Sequence, residues 1–202
     1  MRLKLSSVHL EPGYRELLEE CAAQLDALTG GALLRDFPAP LATLFISSPG
    51  EVTPYHVDSE TNFLLQISGA KSVHIYDGTD RSLIDTCDFE RYWGLGHIDM
   101  PDGNAGTSFE LRPGLGVHNP VHFPHWVQNG QGPSISLSLG FVSRHDLSDV
   151  FRVNHQLRRL GLTPSEPGSN AVLDDAKRTA ARSVRSLKYL LKGQKAPGIK
   201  LR

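Results

Sequence analysis

The sequence predicts a mainly β protein, a sandwich or barrel of short strands with helices before and after it. Three observations carry this. Short apolar, β-prone runs recur through the middle of the chain, and each is closed by Gly, Pro or Asn. Helical periodicity belongs chiefly to the two ends. The strands follow one another with frequent turn signals instead of alternating with long helices, which argues against βαβ units.

Taken in order, Glu11 to Leu28 reads as a helix. Leu17, Leu18, Cys21, Ala22, Leu25 and Leu28 share its apolar face, and Gly30-Gly31 ends it. A linker containing Pro38 and Pro40 follows. Strands are expected at Leu41–Ser48, Asn62–Ser68 and Lys71–Asp77, then in the SFELRPG, GVHNPV and SISLSLGFV segments. The stretch Asp80 to Gly94 has room for a short helix. The helical period returns from Asp146 to Leu160, with Gly161 and Pro164 as stop signals, and again from Leu173 to Leu191. The organisation is therefore an N-terminal helix and linker (1–40), a β barrel (41–144) and a helical extension (145–202), all in one compact unit.

Composition narrows the function classes. The chain has 202 residues and is 39% hydrophobic, enough for one sizeable core. No apolar run reaches transmembrane length, and the start lacks a signal-peptide pattern, so a cytoplasmic protein is expected. Cys21 and Cys87 stand alone, without CxxC spacing, which speaks against a disulfide framework or a cysteine zinc site. Charge is uneven. From Phe151 onward there are 12 basic against 3 acidic residues, while the first 150 carry 9 against 19. Lys177, Arg178, Arg182, Arg185, Lys188 and Lys192 form a basic helix. Its expected role is a solvated face, or docking on acidic protein surface. Without interleaved aromatics, nucleic-acid binding is not favoured.

The chemistry centres on His56-Val57-Asp58. In an extended segment, residues two apart face the same side, so an imidazole and a carboxylate are presented together. A distant third imidazole would complete the two-histidine, one-carboxylate triad of non-haem Fe(II) enzymes. His118, His122 and His125 are all candidates, and spacing does not choose among them. His74 is expected to be structural, Trp126 to pack in the core, and Tyr55 to point away from the His56/Asp58 face.

The stretch TPYHVDSETNFLLQISGAKSVHIYD resembles the central signature of the JmjC-type, cupin-like hydroxylases. Thr53 lies three residues before His56, Asn62-Phe63 follows Asp58, and Gln66-Ile67, Gly69 and Lys71 fall at the family spacing. PVHFPHWVQNG followed by SISLSL resembles the distal motif. The similarity covers Phe45 to Phe141, about half of the chain. It implies a double-stranded β-helix, the jelly-roll cupin fold. It also implies His125 as the third metal ligand, beside His56 and Asp58. Fe(II), 2-oxoglutarate and O2 would then give succinate, CO2 and a hydroxyl on an unactivated C–H. Lys71 and Thr53 would take the far carboxylate of 2-oxoglutarate, with Asn62 nearby. The substrate would be a protein side chain or a small metabolite, and a homodimer through C-terminal helices is implied.

The chain departs from the pattern at Gly114-Leu115-Gly116, at Gly140, and in its short N-terminal part. Two other readings stand beside the hydroxylase: a non-catalytic metal-binding cupin with a transcription-related role, and a cupin enzyme that does not use 2-oxoglutarate. Substrate choice is expected to lie in loops such as Asp99 to Ser108.

Overall fold

A computed structural model describes residues 2–101 and 106–191. The chain forms two compact units, Met1–Leu83 with Asp99–His145, and Ile84–Ile98 with Asp146–Arg202. Among the described residues no helix is long and apolar enough to cross a membrane.

The first unit holds nine strands: β1 (Arg2–Ser6), β2 (Ala39–Ser47), β3 (Val52–His56), β4 (Glu60–Ser68), β5 (Lys71–Ile75), β6 (Thr107–Leu111), β7 (Gly116–Asn119), β8 (His125–Asn129) and β9 (Ser134–Val142). They build two antiparallel sheets, ordered β1-β2-β9-β4-β7 and β3-β8-β5-β6. From β2 to β5 the chain changes sheet at every step, and it does so again from β6 to β9. That alternation winds strand pairs into a double-stranded β-helix, the jelly roll of the cupins. The expected fold class is the observed one.

Strand alternation gives the larger sheet two different faces. Its outer face carries Ala42, Leu137, Leu139 and Phe141, packed with Leu18, Ala22 and Leu33 of helices α1 (Pro12–Leu28) and α2 (Ala32–Asp36). Phe141 is fully buried, and burying a side chain of this kind stabilises by roughly 1.5–3 kcal/mol. The inner face is unusually polar. Its cross-strand rows are Leu41, Gly140, Asn62 and Asn119; then Phe45, Ser136 and Gln66; then Arg2, Ser47 and Ser134. Between the sheets, Val73, Ile75, Leu111, Val117 and Val127 form a smaller apolar cluster with Leu64 and Phe123. The interior serines of β9 are matched: Ser136 Oγ donates to Gln66 Oε1, Ser138 Oγ to Asn62 Oδ1 at 2.8 Å, and Ser134 Oγ to Asn129 Oδ1 of the facing sheet.

The second unit contains α3 (Thr86–Leu95), α4 (Ser148–Arg159) and α5 (Ala171–Leu191). Asp85 and Asp88 form a capping box that starts α3. Glu90 is 1% exposed and accepts from Arg158 Nε at 2.6 Å and Asn154 Nδ2 at 3.1 Å. Asp149 pairs with Arg152 and Arg185, and Arg178 with Asp175. Part of the basic excess read from the sequence is thus neutralised inside this unit. Lys192 lies outside the described residues. Tyr92 and Trp93 belong to α3 itself, edge to face at 5.2 Å.

The strand β1 was not foreseen, because RLKLS mixes charge with two leucines that stay exposed. Gly69, between β4 and β5, has φ +72, and a Cβ there would lie 2.3 Å from the Pro133 carbonyl oxygen. Gly69→Ala therefore forces both a left-handed alanine and a backbone shift. We expect a loss of about 2 kcal/mol or more, a fall in Tm of about 5–10 °C by thermal denaturation.

Candidate metal centre

The site is built on sheet β3-β8-β5-β6. Val57 is 1% exposed and anchored in the core, so its neighbours His56 and Asp58 both turn the other way. β3 and β8 pair with Thr53 opposite Val127 and His56 opposite His125, three steps on one strand against two on the other. This bulge falls between Thr53 and His56, a stretch that includes Pro54, which has no amide proton to lose from the ladder. It lets Thr53 and His56, an odd number of residues apart, share the inward face with His125.

Among the described residues His56, Asp58 and His125 form the one cluster able to hold a metal, with their ligand atoms within 4.8 Å of one another. Asp58 Oδ1 lies 3.9 Å from His56 Nε2, and Asp58 Oδ2 lies 3.5 Å from His125 Nε2. His56 Nδ1 is 2.8 Å from the Pro54 carbonyl oxygen, and His125 Nδ1 is 3.1 Å from that of Phe123. Donating Nδ1–H to these carbonyls leaves both Nε2 lone pairs directed at Asp58. This is the orientation a divalent cation needs. The Asn119 carboxamide lies 3.0 Å from the same His125 nitrogen, and its buried Oδ1 has no other partner among the described residues. Turned to present Oδ1, it accepts that proton as well. Two imidazoles and one carboxylate, two of the three partly exposed, suit a divalent metal with open coordination positions.

Burial pushes the His125 imidazole down to about 4, helped by the neighbouring His56. It stays neutral, as a ligand must, across the physiological range. Burial and the adjacent Asp58 carboxylate raise Glu60.

The other sequence candidates fall elsewhere. His118 points to the opposite face of β7 from Asn119. There it stacks on Phe63 and pairs with Thr61 Oγ1 at 2.7 Å, away from the metal cluster. His122 contributes backbone: with φ 62 it donates its N–H to the Asp58 carbonyl at 3.2 Å, joining the two loops that carry the ligands. His74 stacks on Trp126 at 3.8 Å, on the outward face of β5 and β8, so Trp126 does not pack beside the metal site. Tyr55 sits edge-on to Tyr76.

Lys71 and Thr53 face the interior farther along the sheet. Lys71 pairs with Asn129, four residues from the His125 level, about 13 Å along the strand. It is 4% exposed, with no hydrogen-bond acceptor or counterion among the described residues. Burial, with the Arg2 guanidinium adding repulsion, brings its ammonium down from 10.5 to about 8. That shift corresponds to a folding cost of roughly 3 kcal/mol at neutral pH, which a bound anion would offset. Asn62 sits at the metal end, opposite Asn119, instead of beside Lys71 and Thr53. Its Oδ1 is taken by Ser138, leaving Nδ2 to donate inward. Asn119 and the row Ser134, Ser136 and Ser138 were missed from sequence. Their signal was available: serine at every second position of SISLS is polar on one face only.

No protein-family model matches the chain, and no curated protein matches it. Solved structures give weak likenesses. The DMSP lyase DddQ from Ruegeria pomeroyi DSS-3 is 16% identical over 51% of this chain, which spans 38% of the lyase, with a TM-score of 0.35. A cupin superfamily protein from Desulfitobacterium hafniense DCB-2 is 14% identical over 52% of this chain and 68% of its own, again at 0.35. KdgF from Halomonas sp. is 17% identical over 55% and 76%, at 0.36. At these scores the likenesses carry no argument. The strand order does, and with the cluster it defines the class: a cupin-type double-stranded β-helix with a candidate metal centre inside.

In a divalent-metal titration, Asn119→Ala is expected to weaken affinity by about 10–100-fold, the usual effect of losing a ligand's orienting partner. His118→Ala should leave affinity unchanged. Equal losses in both variants would contradict this assignment.

Proposed function

We propose that this protein is an Fe(II)- and 2-oxoglutarate-dependent hydroxylase acting on a protein side chain or a small metabolite. One observation supports the reading above others. A candidate metal cluster and a buried ammonium without a partner among the described residues lie on the same inward face, on strand positions four residues apart. That spacing suits a short diacid with one end at the metal and the other at a cation. A cupin site without such a cosubstrate has no use for a cation buried at this cost.

His56, Asp58 and His125 would hold the iron. Bound with 2-oxoglutarate, Fe(II) would activate O2, the oxidant, for hydroxylation of a C–H bond. The chain's own residues bind and orient. Lys71 takes the remote carboxylate by a charge-assisted contact, strengthened by exclusion of water. Thr53 adds a hydroxyl donor, and Asn62 offers Nδ2–H at the metal end.

The anaerobic mixture of protein, Fe(II) and 2-oxoglutarate should show a weak visible charge-transfer band. It should disappear in His56→Ala and Lys71→Ala. Metal binding without any band would overturn the proposal. A pH dependence follows from Lys71. Its charged form binds the anion, so affinity for 2-oxoglutarate is fully present below about pH 8 and falls as pH rises through that value.

Homodimerisation through the C-terminal helix is part of the same reading. Val184, Leu187 and Leu191 of α5 are 53%, 56% and 79% exposed, at the spacing of one helical face. Light scattering should give twice the chain mass, and Leu187→Glu should return it to the monomer value.

A further inference from the structure

The edge strand β1 places a second cation, the exposed Arg2, at the Lys71 end of the barrel. Arg2 pairs with Ser47, which pairs with Ser134, and Ser134 Oγ donates across the interior to Asn129, the residue opposite Lys71. From this row Arg2 reaches the other sheet, where its Nη1 donates to Thr53 Oγ1. A hydroxyl that accepts from a guanidinium keeps its own proton for another acceptor. Lys71, 4% exposed and without an acceptor among the described residues, lies within Coulombic reach of the same guanidinium. Two cations and an oriented hydroxyl converge at this end of the barrel.

We propose that Arg2, Lys71 and Thr53 together form a two-cation subsite for a terminal carboxylate, and that Arg2 sets its affinity. This rests on the hydroxylase reading for the ligand's other end, but the subsite itself needs no metal. Arg2 donates to Thr53 with Nη1 and has further N–H groups for the carboxylate. Thr53 donates its O–H to the same anion in a hydrogen bond, and Lys71 supplies the buried charge. The ligand class is a short dicarboxylate, fully ionised at neutral pH. A charge on an edge strand also deters pairing with another chain. That role asks only for charge, whereas the Thr53 bond asks for a guanidinium that can donate to two acceptors at once.

Glutarate is the probe that reads this subsite alone, because it lacks the oxo group needed for chelation. Its binding to the metal-free full-length protein is measured by calorimetry, beside inorganic phosphate and 2-oxoglutarate. Wild type should bind glutarate, and Arg2→Gln should weaken it by about ten-fold or more, the usual scale for a charged hydrogen bond. Arg2→Lys should recover only part of that loss. Arg35→Gln, which removes an exposed charge on α2, should leave affinity unchanged and so controls for net charge. Thr53→Val combined with Arg2→Gln should cost less than the two single losses together, because the pair acts through one bond.

Glutarate affinity equal in Arg2→Gln and wild type overturns the inference. If Lys71→Ala still loses 2-oxoglutarate there, the hydroxylase reading stands without it. Arg2-dependent binding of glutarate, with no charge-transfer band on adding Fe(II) and 2-oxoglutarate, keeps the subsite and overturns the hydroxylase. No anion bound by wild type at roughly 10 mM, beyond the weak end of useful affinity, overturns the subsite outright.

Discussion

The interior of this barrel is organised by the two-residue period of a β-strand, which slips at β3 beside the metal centre and again on β4 between Gln66 and Ser68. Three strands obey it: Lys71, Val73 and Ile75 on β5; His125, Val127 and Asn129 on β8; Ser134, Ser136 and Ser138 on β9. On β3 the period slips between Thr53 and His56. Without that slip Thr53 and His56 would face opposite sides of the sheet, and the hydroxyl and the imidazole could not belong to one cavity. The shared facing of Thr53 and His56 depends on this irregularity, while the regular β5–β8 ladder sets the separation of Lys71 from His125.

The polarity of the same face carries a second constraint. Buried hydroxyls and amides are tolerated where their partners are supplied, and the three serines of β9 each find one. Lys71 is the exception, a buried charge with no partner among the described residues. Native chains seldom keep such a group unless something that binds there neutralises it. The contrast between the satisfied serines of β9 and this cation marks that end of the barrel as a binding surface rather than packing.

The centre at the other end is held by backbone as much as by side chains. The carbonyls of Pro54 and Phe123 set the tautomers of His56 and His125, and the His122 amide ties the Asp58 loop in place. His122, which the sequence offers as a ligand, serves through its main chain. His118 is removed by parity alone: it neighbours Asn119, and adjacent residues on a strand face opposite sides. With three histidines in eight residues, composition could not separate these roles, but strand register does.

Much was legible in the chain itself. The strand segments, the helices at both ends and the pairing of His56 with Asp58 follow from local pattern, because period and turn residues act over a few positions; Thr53 and Lys71 were reached only through the family resemblance. What the tertiary structure decided has longer reach. It selected His125 over His118 and His122, moved Trp126 to the outside, put Asn62 at the metal end, and brought Arg2 from an unforeseen edge strand to Thr53, 51 residues away in sequence. Those outcomes depend on which strands lie side by side and in which register, set by the closure of two sheets over one interior and not by any residue's near neighbours.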